Sequence, residues 1–313
     1  MGFLSDVTAL PFGFWLRLLP IIGGIGSLLI VWRLLRNRKH RFALLLMLAL
    51  CPVSIMVDGY HGNTDSLVIM FVLLAIYLIE TRTPVWLAGL AFGLGCCVKI
   101  VPLMFAPAFV LYLPDIQRRS HFALTAAAVF IACSMPYIIQ DPIAVRNVVF
   151  GYGSIYGSWG FSQLAAIVST VRYAHQPFEP LGIHAVVAAI LKYLTFALIL
   201  AASVWLNFKK DRPSLFVQCG AIIALVLFFA PGFGPQYLVW LVPFVPGLGL
   251  KSTLTYYIAV SLYLLYKYTG LVDVSWLALA GLLLSLFCWL SLLLLFAEYV
   301  RRTLRSTHLP DPA

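Results

Sequence analysis

The chain has 313 residues, of which 62% are hydrophobic and 10% charged, and its mean hydropathy is +0.98. A soluble domain carries about 25% charged residues, so the soluble globular classes are excluded. The net charge of +10 does not indicate nucleic acid, because the basic residues fall in short clusters between apolar runs instead of forming one patch.

The apolar runs occupy 14–33, 42–57, 66–79, 85–98, 101–113, 122–139, 184–206, 214–230, 237–250, 253–268 and 276–299. Each is long enough to cross or nearly cross a bilayer, which predicts an all-α polytopic transmembrane bundle of about 11 spans. No internal repeat and no linker divides it, so 1–313 reads as a single domain. Alternate loops carry the positive charge: Arg33 to Arg41, Arg82, Arg118 and Arg119, Lys209 to Arg212, Lys251, and Arg301 to Arg305. By the positive-inside rule these loops are cytoplasmic, with the N-terminus outside and the C-terminus inside. The six cysteines lie within apolar runs without metal-ligand spacing and read as small hydrophobes.

Between the second and third runs, residues 58–67 place Asp58, His61, Asn63 and Asp65 at a span junction. Ionisable groups there are costly, which makes them a functional-site hypothesis. Asp58, His61 and Asp65 are spaced i, i+3, i+7, so a continuous helix would put them on one face, and a break at Gly59 and Gly62 would still gather them within a few residues of one loop. Two uses follow: a carboxylate acting as general base toward a hydroxyl, or a divalent cation held by the two Asp and the His. Helix capping by Thr64 or Asp65 competes as a bland reading for Asp65. It explains neither Asp58 nor His61.

In 80–121, Thr83-Pro84 and Pro102 bracket a short helix pair with Lys99 at its outward tip. A cation at that point suits a phosphate oxygen, and snorkelling to the interface explains it equally well. The 140–183 segment is too long and too aromatic for an ordinary connection. It carries Arg146 and Arg172, then Tyr152, Tyr156 and Trp159 interleaved with glycines, and a surface helix is expected over 161–171. Arg146 and Arg172 suit either phosphate or loop salt bridges, and an interfacial aromatic belt would explain the rings. Finally, two prolines and two glycines at 231–235 open the chain before Gln236 and Tyr237. A glutamine at a bilayer boundary can hold a polar ligand through its amide.

Four pieces occur in the order seen in one family: Gly62-Asn63-Thr64-Asp65-Ser66-Leu67, the glycine run 89–95 leading to Lys99 and Pro102, Tyr156 with Trp159-Gly160, and Pro235-Gln236-Tyr237 through Pro243. Together they resemble the GT-C superfamily of integral-membrane glycosyltransferases, and most of all its bacterial mannosyltransferase-like members. The resemblance implies a polyprenyl-phosphate sugar donor, a lipid or glycan acceptor, and a multi-pass location in a bacterial inner membrane. It also implies inverting transfer on the outer side, with phosphate held by Lys99 and Arg146. His61, Asn63, Tyr156, Trp159, Gln236 and Tyr237 would line the sugar or acceptor site. The family's usual catalytic acid lies in a first outer loop, and this chain starts near the end of such a loop at 5–11. The base is then expected to be Asp58 or Asp65, or a remnant Asp6. A catalytically inactive truncated homologue is the alternative within the family, and a lipid-linked-sugar flippase is the alternative outside it. The flippase predicts midplane charges and repeats, neither of which this sequence has.

Overall fold

A computed structural model describes residues 7–8, 10–150, 155–157, 159–168, 181–269 and 277–304. Asp6, Tyr152, Arg172 and the end of the expected helix 161–171 lie outside them. The described residues are almost wholly helical, and their one β-type pairing is an isolated bridge between Tyr156 and Gly232. In chain order the α-helices are α1 (Phe12–Leu34), α2 (Arg41–Ala49), α3 (Asp65–Glu80), α4 (Val85–Val98), α5 (Ala106–Tyr112), α6 (Ile116–Gln140), α7 (Pro142–Phe150), α8 (Gly160–Val168), α9 (Ile183–Phe208), α10 (Leu215–Phe229), α11 (Leu250–Tyr268) and α12 (Leu277–Leu304). A single turn at Pro52–Ser54 and a π-helical segment at Ile55–His61 extend α2 toward α3.

Five helical stretches are long and apolar enough to cross a membrane: Phe12–Leu34, Arg41–His61, Ile116–Gln140, Ile183–Phe208 and Ala280–Leu304. Three shorter apolar helices (Val85–Val98, Val101–Tyr112 and Leu215–Phe229) accompany them. These are the helices of an integral membrane protein, fewer at full length than the eleven apolar runs suggest. Four cysteines are buried, as small hydrophobes should be, whereas Cys97 is half-buried and Cys133 exposed.

The helices pack through close glycine contacts, as membrane helices do when no hydrophobic gradient separates them from lipid. A Cβ on Gly23 of α1 would stand 2.5 Å from the backbone of Leu67 in α3. On α4, Gly89 and Gly93 bring the backbone equally near α6, with a Cβ 2.6 Å from the Phe122 carbonyl and 2.8 Å from that of Ala126. The α1–α3 crossing is what holds the start of α3, and so the 58–67 segment, against α1.

The sequence reading of 237–250 as a spanning helix is corrected. The chain there forms 3₁₀ turns at Pro235–Trp240 and Val245–Leu248, joined through Pro243. Proline removes a backbone donor and clashes with the preceding turn, and two of them three residues apart, Pro243 and Pro246, disfavour a continuous α-helical ladder here. Irregular backbone at membrane depth survives only where protein covers it. Residues 237–248 are buried throughout, and neighbouring side chains meet their carbonyls. Tyr256 donates to Leu238 O at 2.6 Å and Tyr257 to Val242 O at 2.9 Å. Arg38 donates to Gly247 O at 2.9 Å, and Arg302 also donates to Gly247 and Leu248.

Adding a methyl at either glycine crossing overpacks it. Gly23→Ala and Gly93→Ala are each expected to cost about 1–3 kcal/mol, read as a lowered midpoint of thermal unfolding in detergent.

Candidate active site

The site begins with a change of direction. The π-helical segment ends at Gly62, whose φ of 71° lies in the left-handed region that glycine enters without a Cβ penalty. The chain turns there, and Asp58 and Asp65 come to lie on two segments instead of one helix. The helix breaks at Gly62 and not at Gly59, so the three do not share one helical face. Asp58 instead faces α3, where its Oδ1 accepts a 2.6 Å hydrogen bond from Ser66 Oγ.

Asp65 opens α3 but does not cap it. Thr64 holds the N-cap position without a side-chain bond, and Asn63 Oδ1 accepts from the Asp65 amide at 3.3 Å. The Asp65 carboxylate binds Lys99, whose Nζ lies 2.8 Å from Asp65 Oδ1 and 2.8 Å from Asn63 Oδ1. Lys99 stands at the break after α4, where extended backbone (φ −152°, ψ 150°) turns its long side chain across to α3. The pair is unevenly sheltered: the Asp65 side chain is 0% exposed and that of Lys99 31%. Asp65 Oδ2 is buried without a hydrogen-bond partner. Lys99 is thus neutralised by Asp65, which removes the reading of it as a free phosphate anchor.

Aromatic rings border this pair. His61 is exposed and stacks on Tyr268 with centroids 5.6 Å apart and planes 14° apart, while Tyr60 lies 6.0 Å from the same ring. Tyr268 is within electrostatic reach of Asp65, and its hydroxyl is buried without a partner. Two further cations stand on α1 and α11. Arg17 of α1 donates to Gly13 O at 3.2 Å and Tyr60 O at 3.5 Å. Lys267 lies with Nζ 5.8 Å from the Tyr263 ring centroid. Neither has a carboxylate partner among the described residues. Sequence reasoning missed both, along with Tyr268 and Ser66. The available signal was a lone cation inside an apolar run, which Lys99 shared and which drew attention only there.

The other expected site residues divide. The aromatic loop and the 231–236 loop do meet, through the Tyr156–Gly232 bridge and a 3.0 Å bond from Phe233 N to Ile155 O. Tyr156 is buried with its hydroxyl 3.3 Å from His184 Nδ1. Trp159 is fully buried, stacked 4.0 Å from Phe233, and its indole N–H donates to Leu227 O at 2.8 Å. Its role is packing, so the ligand-lining expectation for Trp159 is corrected. Tyr237 stacks on Trp240 at 4.5 Å, and the half-buried Gln236 folds over Gly234. Arg146 is exposed on α7, which packs on α6, and no contact joins it to the Asp65–Lys99 pair. The expected surface helix forms as α8, but its first turn is wedged inward, with Phe161 against Phe228, Phe229 and Trp289.

A cavity of about 320 Å³ lies between α1, the π-helical segment, α3 and the 3₁₀ stretch. Its walls are apolar except for Ser27, Ser54, Asp58 and Ser66. Asp58 Oδ2 turns toward α1, where a Cβ on Gly24 would stand 3.2 Å from it. The bond from Ser66 is the one described hydrogen bond to this carboxylate. No group of three or more His, Cys, Asp or Glu among the described residues is arranged to hold a metal ion. The divalent-cation reading also loses its ligand set, because His61 stacks on Tyr268 and Asp65 is bound to Lys99.

Removing one partner of a buried ion pair leaves an uncompensated charge, which costs about 3–5 kcal/mol. Lys99→Met is expected to lower stability by that amount, and Lys99→Met with Asp65→Asn to recover most of it. Thermal unfolding of the two single variants and the double variant in detergent checks this.

No curated protein and no solved structure matches the chain. Residues 4–147 match the model of glycosyltransferase family 87. That stretch is a little under half of the chain, and it carries Asp58, Asp65 and Lys99, so in the part that builds the carboxylate pair the chain is similar to a glycosyltransferase.

Proposed function

We propose that the protein is a membrane glycosyltransferase that moves a mannose-like hexose from a polyprenyl-phosphate donor to a hydroxyl acceptor, on the outer side of the membrane. The observation that carries this reading is Asp58: a buried carboxylate held by one hydroxyl, with its second oxygen turned toward a cavity and no ion pair to a cation among the described residues. A general base needs a free oxygen within hydrogen-bond reach of the proton it takes. Asp58 has one. Asp65 does not serve as well, because it is enclosed and shares its charge with Lys99. It acts as a positioning residue, fixing the first turn of α3 and with it the Ser66 hydroxyl that orients Asp58.

Transfer then follows from these placements. The acceptor hydroxyl donates to Asp58 Oδ2 and attacks the anomeric carbon from the face opposite the phosphate. The carbon–oxygen bond to phosphate breaks, and the phosphate leaves with its electron pair. Arg17 and the exposed ring of His61 are the groups near the rim with charge or donors to offer that phosphate. They replace Lys99 and Arg146 in this role. Gln236 and Tyr237 stand on the 3₁₀ stretch that packs on α3 and suit the sugar hydroxyls.

Purified protein given a radioactive polyprenyl-phosphate sugar tests the reading. Asp58→Asn is expected to lower kcat by about 10²- to 10⁴-fold, the usual contribution of a general base, without altering the unfolding midpoint. Arg17→Ala is expected to raise the donor KM with kcat little changed. Turnover by Asp58→Asn within threefold of wild type would show that Asp58 is not the base.

A further inference from the structure

The cavity beside Asp58 also bears on which acceptor the site takes. Its rim includes Ile21, Ile25 and Ile55, which are 40%, 55% and 58% exposed. On a membrane helix such side chains meet acyl chains, so the cavity is reached through apolar surface. A sugar or peptide entering that way would leave most of its polar groups unpaired, at a cost of roughly 1–3 kcal/mol for each.

Two polar groups inside the cavity have unmet hydrogen-bonding capacity. Ser27 Oγ is buried with no partner, on a side chain that is 6% exposed. Asp58 Oδ2 faces the same α1 wall from the other side. An orphaned hydroxyl and a carboxylate oxygen in an otherwise apolar space complement a ligand with an apolar body and one small head. That head must donate to the carboxylate and also accept from, or donate to, Ser27. A hydroxyl does both. A carboxylate or phosphate head would be repelled by Asp58. The volume of about 320 Å³ holds roughly ten water-sized groups, which suits the terminal part of a chain.

We infer that the acceptor is a lipid alcohol, an isoprenoid or alkyl chain ending in a hydroxyl, which enters the cavity from the bilayer and presents its oxygen between Ser27 and Asp58. The inference rests on the transferase reading above and names its acceptor. In the step, the lipid O–H bond breaks and its proton passes to Asp58. The oxygen bonds to the anomeric carbon, and the carbon–oxygen bond to the carrier phosphate breaks with the electron pair staying on phosphate. The products are a glycosylated lipid, the carrier phosphate and a protonated Asp58, which loses its proton to water.

The experiment uses the full chain in vesicles, with farnesol as the lipid alcohol, a methyl glycoside as the soluble acceptor, and a polyprenyl-phosphate sugar as donor. Ser27→Leu fills the cavity, and Ile25→Trp blocks its rim from an exposed position where folding is not at stake. Both are expected to raise the farnesol KM at least tenfold while the donor KM stays within twofold. A rise in donor KM instead would mean that the cavity holds the donor's chain, and the inference falls. Efficient use of the methyl glycoside with no use of farnesol also overturns it, although the transferase reading would stand. Binding is read separately with a photoreactive farnesol analogue. Labelling of the cavity residues that free farnesol competes away, and that Ser27→Leu abolishes, is expected even if no sugar is transferred. Labelling absent from those residues sinks the inference whatever the fate of the transferase reading.

Discussion

The ion pair between Asp65 and Lys99 is the contact on which the site depends. It joins the first turn of α3 to the break after α4, with Asn63 accepting a second bond from the same ammonium. A charge at a helix junction in a membrane protein is affordable only when something answers it. Here each charge answers the other, and the cost falls on mobility: neither segment can shift without exposing a buried carboxylate. Asp65 is followed at once by Ser66, so the pair also sets the hydroxyl that binds Asp58. One carboxylate is thereby spent on structure and its neighbour is left available.

That division resolves an ambiguity common to clusters of acids. Two carboxylates close together have different chemistry when only one has a cation. The aromatic rim of Tyr60, His61 and Tyr268 belongs to the same arrangement, because Tyr268 joins the end of α11 to the turn at 60–62. Arg17 reaches this rim from α1, through its bond to Tyr60 O.

The sequence made the place legible but not the pairings. The 58–67 segment stood out because ionisable residues interrupted apolar runs, and the loops at 155–160 and 231–236 stood out through glycine and proline; the two loops do touch. Lys99 was conspicuous for the right reason but assigned to phosphate, since its partnership with Asp65 spans 34 residues and depends on how α3 and α4 pack. Trp159 looked like a ligand-facing ring because local sequence does not say which way an indole points, and here it points into Phe233 and Tyr263. The 237–250 run was apolar enough for a span. Pro243 and Pro246 were the visible evidence against an α-helix, but apolarity alone does not separate a membrane helix from buried 3₁₀ backbone.

That 3₁₀ stretch has a geometric consequence. An α-helix advances about 1.5 Å per residue and a 3₁₀ helix about 2.0 Å. At the steeper rise the ten residues of its two 3₁₀ pieces, Pro235–Trp240 and Val245–Leu248, advance about 20 Å, where ten α-helical residues would advance about 15 Å. The hydrocarbon layer is about 30 Å thick. The stretch joins Gln236, beside the start of α3, to Gly247, under Arg38 and Arg302, with more rise per residue in its 3₁₀ pieces than an α-helix would give. The tyrosine hydroxyls of α11 and the two arginines hold it drawn out. In that form it ties the carboxylate end of the bundle to the arginine end through buried backbone and not through a helix.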